Sequence, residues 1–222
     1  HEIRIETNVS APFSENSYIA SLPGRDDCLV IDPGLQPEKI VQQLERLGLS
    51  PIAILNTHGH SDHIAGNARF KQLWPDCPLL IGRGDAPKLA DPWQNLSAQF
   101  GLELVSPPAD RLLDDGETLD LAGMSLRVRE IPGHSSGHIV FIVDALEPPV
   151  VFGGDVLFAG GIGRTDFPDG SFEQLAEGIW TKLFILPDAT RVFPGHGPPT
   201  TIGDEKRGNP FVGAPAGYRD PK

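Results

Sequence analysis

The sequence predicts an α/β fold in which two mixed sheets lie sandwiched between helices. Three observations support it. Short apolar runs closed by Gly, Pro or Asp recur along the chain in two successive sets. A stretch with helical apolar spacing separates two of the early runs. Apart from His1, the histidines gather in Gly-rich segments that follow such runs.

Tyr18-Ile-Ala, Leu29-Val-Ile31 ending at Asp32-Pro-Gly34, and Ile52-Ala-Ile-Leu55 read as buried strands stopped by turns. Between the last two, Pro37 to Leu47 places Ile40, Val41, Leu44 and Leu47 on one helical face, and Gly48 ends it. The run from His63 to Trp74 reads as a second helix, with Asp62 as its N-cap. Cys28 lies in one strand and Cys77 at the start of another. Neither belongs to a CxxC pattern, so both are expected as buried free thiols.

The second set is looser. Leu119 to Glu130 predicts a hairpin turning at Ala122-Gly123, followed by strands at Ile139–Val143 and Val150–Phe152. Residues 171–186 look helical, and Arg191-Val-Phe193 is a last short strand. Residues 1–203 are expected to form one catalytic domain. Residues 204–222, rich in Gly, Pro and charge, are expected as a C-terminal tail, either a surface strap or a partly disordered segment.

Of the 222 residues, 39% are apolar and 22% charged, an ordinary globular balance. The net charge of −12, from 30 acidic against 18 basic side chains, disfavours nucleic acid or an anionic membrane as the main partner. No apolar stretch approaches the roughly 18 to 20 residues of a membrane span, and no basic-then-apolar leader opens the chain. A cytoplasmic protein acting on a small molecule is the expectation. No feature of the sequence points to an oligomeric state.

Chemistry concentrates in Thr57-His-Gly-His-Ser-Asp-His63. Three imidazoles and a carboxylate so close together are a poor way to build a core and a good way to hold a metal. Alternate residues of an extended loop aim His58 and His60 at one ion, while the next turn presents Asp62 and His63 to another. Capping explains Asp62 and leaves the histidines unexplained. In Pro132-Gly-His-Ser-Ser-Gly-His138, His134 is expected as a ligand and His138 as its support or as a core residue. Asp155 ends the run Val150-Val-Phe-Gly-Gly154, where a turn former is the plain alternative. His196 stands between two glycines with no amphipathic role to fill. Together these predict His58, His60 and His134 on one metal, Asp62, His63 and His196 on a second, and Asp155 bridging them. Such a pair lowers the pKa of a shared water, so hydrolysis follows, with Asp62 and Asp155 as the catalytic carboxylates. Two divalent ions are expected, zinc first, although iron and manganese suit the same donors.

These residues resemble the metallo-β-lactamase superfamily, whose HxHxDH signature stands here as His58-Gly-His-Ser-Asp-His63 and whose later ligands match His134, Asp155 and His196. The likeness spans about residues 10–200 and implies a four-layer αββα sandwich with the metals at one edge of the sheets. Gly154 to Gly170, Pro194-Gly-His-Gly-Pro198 and Thr201 to Phe211 look like the short bacterial glyoxalase II-like hydrolases, which cleave thioesters such as S-lactoylglutathione. The pattern departs from full-length glyoxalase II in three places. The chain stops before that enzyme's helical extension, Gly197-Pro-Pro-Thr200 replaces a glutathione-contacting Tyr, and Arg164 falls near a glutathione-contacting Lys. Arg164 is therefore expected to bind substrate or, alternatively, to pair with Asp166.

Persulfide dioxygenases are the main alternative. They are similar in fold and in the Gly-Arg-Thr-Asp-Phe segment, and they use one iron, for which His58, His134 and Asp155 would suffice. They tend to carry Cys where His138 stands. A lactonase ranks lower because Tyr18 and Tyr218 are the only tyrosines, and a β-lactamase because many carry Cys where Asp155 stands. A binding module without turnover is the non-enzyme alternative.

Overall fold

The computed structural model describes residues 2–220. The first sheet is built in chain order from β1 (Arg4–Ser10), β2 (Glu15–Ser21), β3 (Asp27–Ile31), β4 (Ser50–Asn56), β5 (Leu79–Gly82) and β6 (Arg111–Leu113). Its first three strands are antiparallel, and β3 to β6 run parallel. The second sheet contains β7 (Thr118–Leu121), β8 (Met124–Glu130), β9 (Ile139–Val143), β10 (Val150–Gly154), β13 (Arg191–Pro194) and β14 (Thr200–Thr201), ordered β14-β13-β10-β9-β8-β7. There β10 and β13 are parallel and the other pairs antiparallel. A small hairpin, β11 (Leu157–Phe158) with β12 (Gly161–Ile162), leaves the end of β10.

Strand alternation divides the core into layers. In β9, Ile139, Phe141 and Val143 face the space between the sheets, where they join Leu29, Ile31 and Leu55 of the first sheet and Val128 and Phe152 of the second. Val140 and Ile142 point the other way, against Leu175 and Ile179. On the far side of the first sheet, Val30, Ile54 and Ile81 pack against Ile40, Val41 and Leu44 of α1 (Pro37–Leu47). The chain therefore forms the four layers expected, two mixed sheets between helices. Every residue of β9 is buried because sheet and helix cover its two faces.

Three expectations change. The helix placed at His63–Trp74 is two pieces, α2 (Ser61–Ile64) and α3 (Asn67–Leu73). Between them the N–H of Gly66 donates to the Pro33 carbonyl at 2.8 Å. A Cβ at Gly66 would lie 2.8 Å from that oxygen, so the chain is pinned to the end of β3. Asp62 does not cap: His60 occupies the N-cap position without a side-chain bond, and Asp62 sits in the first turn. The helix read over 171–186 is α4 (Phe172–Gly178) followed by one wide π turn, Ile179–Leu183.

The tail is ordered helix and packed turn as far as it is described. Helix α5 (Ile202–Gly208) already starts before residue 204, Val212 is buried in the outer core, and the Trp180 indole donates to the Val212 carbonyl at 2.8 Å. Residues 221 and 222 of the expected strap lie outside the described residues. The edge strand β1, with its charged faces, and the segment from 83 to 110, with short 3-10 turns at Ala86–Ala90 and Ser97–Phe100, carry no periodicity that a sequence reading detects. Cys28 and Cys77 are buried free thiols. Among the described residues no helix is long and apolar enough to cross a membrane.

Phe141 fills the space between the sheets with no exposed surface. Phe141→Ala is expected to destabilise the fold by about 3–5 kcal/mol, read as a lower denaturant midpoint at unchanged m-value.

Candidate metal centre

Every candidate ligand sits just beyond a strand, and the two sheets bring those ends to one edge. The segment after β4 carries His58, His60, Asp62 and His63; the β8–β9 loop carries His134; Asp155 follows β10; and His196 follows β13. Parallel pairing explains part of this. β10 and β13 run side by side in the same direction, so Asp155 and His196 emerge together. Gly195 makes the approach possible, because a Cβ there would lie 2.1 Å from Asp155 Oδ1 and 2.6 Å from His63 Cε1.

Three groups of donors form among the described residues; one joins Asp32 to His58 and His63, and the other two match the predicted sets. His58, His60 and His134 each offer a ring nitrogen within 4.8 Å of the others, and so do Asp62, His63 and His196 through one carboxylate oxygen and two ring nitrogens. Asp155 lies between them. Its Oδ2 is 3.4 Å from His134 Nε2 and 3.5 Å from His196 Nε2, and its Oδ1 is 3.4 Å from His63 Nε2. Asp62 Oδ2 is 3.2 Å from His196 Nε2. All seven residues singled out as ligands are brought together.

The outward nitrogens are held by the protein. His63 Nδ1 meets Asp32 Oδ2 at 3.0 Å, His134 Nδ1 meets the Arg164 carbonyl at 2.9 Å, and His196 Nδ1 meets the Phe13 carbonyl at 3.1 Å. Such bonds select the tautomer and aim the other nitrogen inward. Among the described residues four buried atoms of the candidate ligands have no hydrogen-bond partner: His58 Nε2, His60 Nε2, His63 Nε2 and Asp155 Oδ1, the last two facing each other at 3.4 Å. Each would cost about 1–3 kcal/mol if left so. Metal coordination is the chemistry that satisfies them, so the donor set fits divalent ions.

The electrostatics agree with that fit. Burial pushes the imidazoles of His58 and His60 below their ordinary range, His60 to about 3 with His134 adding to the effect. Both rings are neutral, as a ligand must be. Burial opposes charge on Asp155 as well, but the imidazoles of His63, His134 and His196 outweigh it and hold the carboxyl well below the usual range. Around His63 the balance is reversed: burial disfavours the charged ring, yet Asp155 and Asp62 raise its pKa well above normal. The carboxylates of Asp155 and Asp62 thus favour positive charge at this place.

Several supporting residues escape a reading by motif. Asp32, at a φ of +48°, accepts the Thr57 N–H at 2.7 Å and the Thr57 hydroxyl at 2.6 Å besides meeting His63. Its place before Pro33-Gly34 reads only as a strand terminator. Asn16 donates from its side chain to the carbonyls of Pro194 at 3.0 Å and Gly197 at 2.8 Å, which fastens the His196 loop to the first sheet. His138, by contrast, stands where the sequence reading put it, against the candidate ligands rather than among them: its Nε2 accepts the Asp155 N–H at 3.0 Å, and its ring stacks on His58 at 4.7 Å.

The centre opens into a cavity of about 290 Å³ walled by Phe13, Leu96, Phe100, Phe158 and Phe167, with Arg164 at its side. Arg164 grips Asp166 through Nε and Nη2, both at 2.9 Å, and lies 4.6 Å above the Phe167 ring. The ion pair that shapes this loop is therefore present, and Arg164 also borders the cavity.

Comparison with known proteins agrees with this geometry. A family described as the metallo-beta-lactamase superfamily matches residues 11–196. The chain is 42% identical over 190 residues to the hydroxyacylglutathione hydrolase GloC of Haemophilus influenzae, covering 82% of this chain and 86% of that protein. It is 39% identical over 202 residues to the probable metallo-hydrolase YqgX of Bacillus subtilis, covering 90% and 93%. Among solved structures, the B3 metallo-beta-lactamase BLEG-1 superposes with a TM-score of 0.89 at 34% identity, covering 94% of this chain and 99% of that one. TTHA1623 in a di-iron-bound form gives 0.82 at 36%, covering 93% and 100%. ETHE1 from Myxococcus xanthus gives 0.78 at 26%, covering 95% and 85%. Four layers, six strands to each main sheet, and a His/Asp cluster at their common edge agree with the sequence match: the chain belongs to the metallo-β-lactamase superfamily.

Proposed function

We propose that the chain is a dinuclear metal-dependent hydrolase that cleaves thioesters, with S-2-hydroxyacylglutathiones as its substrate class. The observation that carries this reading is the pair of three-donor sets joined by the Asp155 carboxylate at the floor of the cavity. The 42% identity to a hydroxyacylglutathione hydrolase over most of both chains supports the substrate. Zinc is the first choice of metal, and iron is supported by the di-iron-bound relative.

His58, His60 and His134 would hold one ion and Asp62, His63 and His196 the other, with Asp155 shared. Bound there, two divalent ions supply a nucleophile at neutral pH and a Lewis acid for the carbonyl oxygen. The chain's own residues do the rest. Asp155 keeps the two sets in register and shares its single negative charge between them. Asp62 offers a carboxylate oxygen at the mouth of the second set, where it can accept a proton-bearing contact from water and orient it. The apolar walls seat the acyl and thiol arms and limit stray water around the scissile bond. No strong general acid is required, because a thiol leaves readily at a pKa of ~8.5. Arg164 has Nε and Nη2 committed to Asp166, which leaves Nη1 for a glutathione carboxylate.

The likeness to ETHE1 favours a second reading, oxidation of a persulfide at a single iron held by His58, His134 and Asp155. Convergence of Asp62, His63 and His196 within 4.8 Å weighs for two ions. Elemental analysis of the purified protein beside parallel assays separates the readings. Two metal equivalents and turnover of S-lactoylglutathione are expected. One iron with oxygen uptake on glutathione persulfide would install the dioxygenase, and strong turnover of a β-lactam or lactone would install those substrates instead.

Asp155→Ala is expected to lower metal content and cut hydrolysis about 100-fold or more; unchanged turnover would refute its assignment. Arg164→Ala is expected to raise KM for S-lactoylglutathione about fivefold at unchanged kcat, the pattern of a lost binding contact. An unaltered KM would leave Arg164 with its loop-shaping pair alone.

A further inference from the structure

Outside the ligands, the most heavily committed ionic group near the centre is Asp85, on the segment that follows β5. It has no exposed surface. Its two oxygens accept four bonds. Oδ2 takes the Gly59 N–H at 2.8 Å and the Ser135 hydroxyl, while Oδ1 takes the Gly137 N–H at 2.7 Å and Lys88 Nζ at 2.8 Å. A carboxylate has about four lone-pair sites, so this one is saturated.

The donors are not a random set. Gly59 stands between His58 and His60, and Ser135 and Gly137 follow His134. One carboxylate thus spans both loops of the first donor set. Lys88, also buried, carries the link further: its ammonium reaches Asp169 Oδ2 at 2.8 Å and the Ser136 hydroxyl at 3.2 Å, and Asp169 in turn accepts the Ser136 N–H at 2.9 Å. Asp169 belongs to the same loop as Arg164 and Phe167, which border the cavity.

Packing shows that the arrangement is built closely. A Cβ at Gly59 would lie 2.6 Å from Lys88 Cβ, and one at Gly137 would lie 2.2 Å from the Asp85 amide nitrogen. Both loops are glycine where the Asp85 segment presses on them, so no side chain intervenes between carboxylate and backbone.

We propose that Asp85 is a positioning residue for the first metal: it sets the separation of the His58–His60 loop and the His134 loop, so that three ring nitrogens meet before an ion arrives. This rests on the reading of those histidines as ligands. Asp85 touches neither substrate nor ligand side chain. Its action is preorganisation, lowering the cost of bringing two independent loops together.

Asp85→Asn keeps the size of the side chain but replaces an acceptor oxygen by an NH2 group, so at least one pair of donors is set facing another. The test titrates metal-stripped protein with zinc against a chromophoric chelator and follows hydrogen exchange of the zinc-free protein in peptides covering 57–64 and 131–138. Asp110→Asn serves as a matched structural control, since Asp110 accepts from the Leu79 N–H and from Lys71 at the opposite end of β5. Asp85→Asn is expected to weaken the first zinc about 10-fold to 100-fold and to quicken exchange in both loops together, whereas Asp110→Asn leaves both readouts at wild-type values. Should Asp85→Asn not fold, Ser135→Ala removes one of the four bonds and is expected to shift the same readouts in the same direction by a smaller factor. Wild-type zinc affinity and exchange in the Asp85 and Ser135 variants, or equal losses in the Asp110 control, would overturn the proposal. Failure of the wild-type protein to bind zinc, iron or manganese would remove the metal reading itself, and this inference with it.

Discussion

Five imidazoles and two carboxylates gather in a largely buried space at the floor of a cavity, and the fold is arranged around keeping them there. Unpaired, such groups are among the costliest things a protein can bury. Here four buried atoms of that set lack a hydrogen-bond partner among the described residues, and the imidazoles of His63 and His196 face the carboxylates of Asp62 and Asp155. The arrangement makes physical sense as a cation site, and the surrounding fold is organised to keep it from relaxing into something cheaper.

That organisation comes in two layers of support. Close to the ligands, Asp32 fixes Thr57 and His63, and the carbonyls of Arg164 and Phe13 fix His134 and His196. Farther out, the sheets do the work of alignment. The parallel pair β10 and β13 delivers Asp155 and His196 side by side, while Asn16 and Tyr18 of β2 reach across to the Pro194 carbonyl and tie the first sheet to the second. An interlayer core around Phe141 and Phe152 fills the space between the two sheets. Loops can then carry chemistry without carrying stability.

Legibility in the sequence followed the range of the interactions. The buried strands, helix α1 and the hairpin turning at Ala122-Gly123 were readable because their apolar period and turn residues are local. The candidate ligands were readable because imidazoles beside glycine have no packing role to compete with. Asp62 shows where local reasoning misleads: its position fits an N-cap, yet the helix begins at Ser61 and the carboxylate turns toward His196. The break at Gly66 has a similar origin, since it depends on a contact with Pro33 that no helical period announces. Asp32, Asp85 and Lys88 carry no motif of their own, and each owes its role to loops distant in the chain.

Residue type, short-range spacing and chain order were enough to reveal the layered α/β class, the candidate ligands and the family. Which ring nitrogens face inward, how Asp155 stands between the two sets, and which side chains bridge the loops emerge from the tertiary structure alone. His60 and His134 lie 74 positions apart in the chain, and their nitrogens approach to 3.0 Å. A distance of that kind is set by sheet packing and by carboxylates such as Asp85 that bridge separate loops, and no local pattern of residues encodes it.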